Sequence, residues 1–235
     1  MAEATIIKTF KALSALLTYP TAELVGAARD IEGILRTEGL VVSQARRGLA
    51  PLLADLETLD LFELQERYVD LFDKTRRLSL HLFEHVHGES RDRGQAMVDL
   101  AALYEKGGLA LAARELPDYL PLFLEYLSTR PLDEARDLLR DTAHIHAMLE
   151  ERLGKRNSPY AAVFAVLREI AGTPAITSDV AMEAEGESDD LAALDAAWEE
   201  TAVTFGPGDA MGGCSVDRLR TQVRAGRRDA RHAVG

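Results

Sequence analysis

Between Ile6 and Ile170, apolar side chains recur every three or four positions, in blocks that end at glycine or proline. That spacing constrains the chain more than any other feature. A period of 3.6 residues puts such side chains on one face of a helix, and each face must then be buried against another. Ile6, Phe10, Leu13 and Leu17 form one stripe, stopped at Tyr19-Pro20. Leu24, Ala28, Ile31 and Leu35 form the next, closed near Gly39. A third runs through Val42, Ala45, Leu49, Leu52 and Leu56; Pro51 inside it lacks an amide hydrogen and is expected to kink or split the helix. Asp60 and Glu63 have capping-box spacing ahead of Leu61, Leu64, Tyr68 and Leu71.

Further on, Met97, Leu100 and Tyr104 mark a helix ended by Gly107-Gly108, and Tyr119, Phe123 and Tyr126 mark another. Pro131 suits the first turn of one long helix through Leu138, Thr142, Ile145, Leu149 and Leu153, with Gly154 as its stop. Ser158-Pro159 opens a last helix through Val163, Leu167 and Ile170. No strand pattern or internal repeat emerges. The expectation is an all-α fold, a compact multi-helix bundle over residues 1–174. Leucine and alanine, which lose little rotamer freedom in helices, dominate a chain with only 6% aromatics.

After Pro174 the character changes. Residues 179–200 hold nine carboxylates and no basic residue, and Asp217 to Arg231 holds six arginines against two aspartates. Residues 175–235 therefore read as an acidic, then Arg-rich, disordered tail. One stripe in it, Leu191, Leu194 and Trp198, would align on a short acidic helix. The net charge of −12 repels phosphate backbones and anionic lipid surfaces, which argues against nucleic acid as a partner. The opening MAEATIIKTF lacks a signal-peptide pattern and no apolar run reaches a spanning length, so no stable membrane insertion is expected. The lone Cys214 precludes an internal disulfide and fits a reducing, cytoplasmic setting.

Chemistry-bearing patterns are few. His81, Glu84 and His85 match H-x-x-E-H, in which two imidazoles on one helical face hold zinc and the glutamate activates water. A metal-dependent hydrolase is the reading this pattern would support. It is five residues long in a histidine-rich stretch and nominates no third ligand; the alternative is that the histidines cap helix ends or line a groove. His144 and His146 sit two apart, on different faces of a helix, so one is expected inside and one outside. Ser90, near His85, His87 and Asp92, reads better as a helix N-cap than as a nucleophile. Tyr68 to Asp73 and Glu115 to Pro121 carry no chemistry of their own and, read alone, are packing and linker segments.

As a block these residues are more specific. The run from Ser79 to Leu100, SLHLFEHVHGESRDRGQAMVDL, closely resembles the nitrate reductase molybdenum cofactor assembly chaperones, also called nitrate reductase delta subunits, of NarJ type. Leu17 to Pro20 (LTYP), Tyr68 to Asp73 (YVDLFD) and Glu115 to Leu127 (ELPDYLPLFLEYL) resemble further elements of the same family. The resemblance spans about residues 6–171 and leaves out the tail.

The resemblance implies an all-helical protein without catalysis or a cofactor of its own. It implies binding of the apo catalytic (alpha) subunit of respiratory nitrate reductase, chiefly through that subunit's N-terminal peptide, until the molybdenum cofactor is inserted. Membrane docking of the client is delayed meanwhile, and the chaperone is absent from the finished enzyme. Molybdenum cofactor biosynthesis proteins become further candidate partners. A sibling chaperone for another twin-arginine molybdoenzyme is the alternative within the wider family. An amphipathic client helix could lay its apolar face in a groove between helices. Tyr68, Leu71, Phe72, Leu82 and Phe83 are candidates for its floor, and Glu84, Glu115 and Asp118 for an acidic rim. His81 and His85 would line it, and the family's Leu-Pro-Asp region maps onto Leu116, Pro117, Asp118 and Tyr119. The tail stripe could occupy this groove when client is absent.

Overall fold

The computed structural model describes residues 6–86, 91–111 and 115–173. The tail and its Leu191, Leu194, Trp198 stripe lie outside the described residues, as do His87 and Ser90.

Helix α1 (Lys8–Leu16) buries Phe10, Leu13 and Leu16, and its first amides, on Lys8 and Thr9, donate to the Glu38 carboxylate at 2.9 and 2.6 Å. A carboxylate there satisfies orphan N–H groups and meets the positive end of the helix dipole. Helix α2 (Ala22–Thr37) starts at Thr21, whose hydroxyl accepts from the Leu24 amide at 3.2 Å. It buries Leu24, Ala28, Ile31 and Leu35, the stripe read from the sequence. Gly39 then takes a left-handed φ of 74° to turn the chain. The third stripe is split as Pro51 requires, into α3 (Ser43–Gly48) and α4 (Ala50–Thr58), with the proline in the first turn of α4. Helix α5 (Leu61–Phe72) is capped by the Asp60 carboxylate, which accepts from the Glu63 amide at 2.9 Å. The Glu63 carboxylate is taken by Arg67, 2.6 Å away.

Helix α6 (Arg91–Lys106) follows, then α7 (Leu120–Ser128). Every residue of α7 except Glu125 is buried. A helix this apolar all round belongs at the centre. It packs along α1, where the Ser14 hydroxyl donates to the Pro121 carbonyl at 2.7 Å and the Ile7 amide to the Ser128 carbonyl at 2.8 Å.

The expected long helix after Pro131 is two: α8 (Leu132–Asp141) and α9 (Ala143–Lys155). Thr142 leaves helical geometry (φ −93°, ψ 2°), and its hydroxyl donates back to the Leu139 carbonyl at 3.0 Å. Such back-bonding lets a threonine compete with the helix ladder and bend or end it. Gly154 stays helical; Asn157, with φ 53°, makes the reversal instead. Helix α10 (Ala161–Ile170) closes the core against α9, burying Val163, Phe164, Val166, Leu167 and Ile170.

Among the described residues the fold is thus all-α, ten helices with two short 3₁₀ turns and one isolated β-bridge. No described helix is long and apolar enough to cross a membrane.

Candidate functional site

Tyr68 and Phe72 lie four apart on α5 and share its inner face. Their rings touch at 4.9 Å, and Phe72 meets Tyr160 edge-on at 5.1 Å. The Tyr68 hydroxyl donates to the Leu17 carbonyl at 2.9 Å and lies 3.3 Å from the Tyr119 hydroxyl. Burial raises both phenols above the usual tyrosine value, Tyr68 far above it, where the neighbouring Tyr119 adds to the effect. Both remain neutral donors at any physiological pH.

After α5 the chain makes a 3₁₀ turn at Arg76–Leu78 and then runs extended past the segment before α7. The Leu82 amide donates to the Asp118 carbonyl at 2.9 Å, and the Leu120 amide to the Leu80 carbonyl at 2.8 Å. His81 and Tyr119 face each other across this antiparallel bridge, with ring centroids 5.4 Å apart. Two segments nearly forty residues apart in sequence are joined here, and side chains complete the joint.

Asp118 is the centre of that joint. It is 0% exposed. Its carboxylate accepts from the Phe83 amide at 3.2 Å, faces His81 Nδ1 at 3.1 Å, and lies 4.0 Å from the Arg93 guanidinium. Arg93 also meets Glu84 at 3.4 Å. Asp118 was expected on an acidic rim; it is instead an internal strut, because a carboxylate with three donors around it is stable inside. Next to it, the Pro117 carbonyl accepts from the Tyr104 hydroxyl at 2.8 Å.

The zinc geometry is not met. His81 precedes a 3₁₀ turn, Leu82–His85, so the two imidazoles do not share a face of an α-helix. His81 Nδ1 is turned to Asp118, and His85 Nε2 lies 2.8 Å from the Ser79 carbonyl, which only an N–H can satisfy. Burial lowers the His85 pKa, keeping that ring neutral. Among the described residues no group of three or more His, Cys, Asp or Glu side chains could hold a metal ion. The hydrolase reading loses its geometric basis. The pair in α9 divides as expected on one side only: His146 is buried, while His144 is half-buried rather than exposed.

An open cleft of about 310 Å³ lies over this joint, lined by Tyr19, Tyr68, Phe72, Asp73, Leu80, His81 and Tyr119. Four of the residues expected at the site, Tyr68, Phe72, His81 and Tyr119, therefore come together. Leu82 and Phe83, expected on the groove floor, are buried in the core beneath. Leu71, Pro117, Glu84 and His85 are half-buried, Glu115 and Leu116 are exposed, Leu116 at 48%, and none of the six lines the cleft. Tyr19, Asp73 and Leu80 are the lining residues that sequence reasoning did not nominate. Tyr19 and Asp73 stood inside the quoted LTYP and YVDLFD blocks, but only the fold brings the α1–α2 turn against the end of α5.

The chain matches the family model described as nitrate reductase delta subunit over residues 41–166. It is 49% identical over 197 residues to NarJ of Escherichia coli (strain K12), a nitrate reductase molybdenum cofactor assembly chaperone, covering 82% of this chain and 83% of that one. It is 42% identical to NarW of the same strain, covering 85% and 84%. In structure it is similar, with a TM-score of 0.51 and 23% identity, to an Archaeoglobus fulgidus chain described as a candidate redox enzyme maturation protein. That likeness covers 71% of this chain and 94% of the other, and bears on the fold alone. The matched segment holds α5, the bridge, Asp118 and all of the cleft except Tyr19; the chain belongs to the nitrate reductase delta subunit family.

Proposed function

We propose that this protein is an assembly chaperone of respiratory nitrate reductase, without catalytic turnover. It binds the apo catalytic subunit by its N-terminal peptide in the cytoplasm. It holds that subunit until the molybdenum cofactor is inserted and the enzyme docks at the membrane, and it leaves before completion. The single observation that carries the reading is 49% identity to E. coli NarJ across four-fifths of both chains. The match to the nitrate reductase family favours this client over other twin-arginine molybdoenzymes.

The cleft supports a peptide as ligand. Its 310 Å³ is at the lower end of ligand pockets, which run from about 300 to 1,000 Å³. That suits one or two side chains of a helical segment better than a dinucleotide cofactor. Exposed Leu116 and half-buried Leu71 are further apolar side chains that a client helix could cover. The helical unit over residues 1–174 carries this binding, with cofactor biosynthesis proteins as further partners at the moment of insertion.

Isothermal titration of the full chain with a synthetic peptide of the catalytic subunit's first fifteen or so residues tests the proposal. One-to-one binding at micromolar protein is the expected result; absence of heat at several temperatures would overturn it.

A further inference from the structure

The cleft is not built like a socket for an aliphatic anchor. Three tyrosines, one phenylalanine and one imidazole line it; Leu80 is its single aliphatic side chain, and Asp73 its single carboxylate. No lysine or arginine lines it. The rings are set at angles: Tyr19 stands edge-on to Tyr68 at 5.7 Å and 90°, Tyr68 is tilted 56° to Phe72, and His81 is tilted 36° to Tyr119. Each ring face is the negative side of its quadrupole, so a ring that turns its face to the cleft favours a cation there.

Two further features carry the same sign. Asp73 is exposed and makes no ion pair among the described residues, whereas the neighbouring Asp70 is already taken by Lys74. Asp73 is also the C-terminal cap of α5, so the last carbonyls of that helix add the negative end of its dipole.

We propose that this cleft seats one cationic side chain, lysine or arginine, of the client's N-terminal peptide, as an aromatic cage with Asp73 as counter-ion. The inference rests on the peptide-binding reading above and adds the chemistry of its anchor. An aliphatic anchor would desolvate the Asp73 carboxylate and give it no partner; a cation supplies one and is attracted to each ring whose face it meets.

The test is titration of the full chain, wild type and variants, with the client's N-terminal peptide. A parallel set carries each Lys replaced singly by norleucine and each Arg by citrulline. One replacement should weaken wild-type binding about tenfold, the scale of a largely desolvated cation–π site. Asp73→Asn should weaken the parent peptide similarly, yet change affinity for that one neutral peptide less than about twofold, the signature of direct coupling. Tyr19→Phe should bind as wild type and Tyr19→Leu several-fold more weakly; Tyr19 is 45% exposed, so neither change threatens the fold. The proposal is overturned if Asp73→Asn and Tyr19→Leu bind the parent peptide normally, or if their losses are equal for charged and neutral peptides. If parent peptide binds but no single neutralisation matters, this inference alone falls. If wild type binds no peptide, the chaperone reading falls with it.

Discussion

Replacing Asp118 by alanine strands two donors, the Phe83 amide and His81 Nδ1–H, and leaves the Arg93 guanidinium with Glu84 alone. Breaking a buried charged network from one side costs about 3 kcal/mol, and the expected loss in urea denaturation is of that order. Asp118→Asn keeps an acceptor for the Phe83 amide and should cost about half as much. His146 is the opposite case. It is 0% exposed, and neither ring nitrogen has a hydrogen-bond partner among the described residues. Burial, with a smaller contribution from His144, pushes its pKa down to about 3. The unfolded chain takes up that proton near pH 6.5 and the native state only near 3, so stability falls as pH drops through this window. His146→Leu removes an unpaired polar ring at similar volume and should raise Tm by about 2–6 °C at neutral pH. The gap to wild type should widen from pH 7 to pH 4, as calorimetry over that range would show. A gap that does not widen would place a partner at the imidazole.

At the scale of elements, local signals and packing each account for different boundaries. Asp60 caps α5 through one clear bond, so Asp60→Ala should lower stability by about 1 kcal/mol, read by urea denaturation. Pro51 split α3 from α4 as its missing amide hydrogen demands. Thr142 was not legible as a break, because nothing in the periodicity of Leu138, Ile145 and Leu149 signals that a hydroxyl will turn back to Leu139. Gly108, with a left-handed φ of 84°, turns the chain out of α6, and Gly107 before it is small for a packing reason. A Cβ there would come within 2.5 Å of the Tyr126 ring, which also stacks under Arg130. Gly107→Ala is therefore expected to cost about 1–3 kcal/mol, as overpacking does, and to perturb the Tyr126 resonances in an NMR spectrum.

At the scale of the whole molecule, the proposed encounter with a basic client peptide would be steered electrostatically by a net charge of −12. Association should slow severalfold between about 50 and 500 mM salt while dissociation changes little, because screening acts mainly on steering; stopped-flow fluorescence separates the two rates. The helical class, the stripe of α2, the cap of α5, the proline split and the family were all written in local order, since a 3.6-residue period and a capping aspartate act within one or two turns; the α5 stripe was legible only in part, because Phe72 turns inward where Leu61 and Leu71 stay half-buried. The cleft was legible in part: Tyr68, Phe72, His81 and Tyr119 stood in blocks that resemblance singled out. What only the tertiary structure decided is how those blocks face each other. The His81–Tyr119 bridge sends Leu82 and Phe83 inward, turns Asp118 from a rim acid into a buried strut, and leaves Asp73 and Tyr19 at the opening. Burial of that kind depends on contacts between residues tens of positions apart, and no spacing rule along one helix contains them.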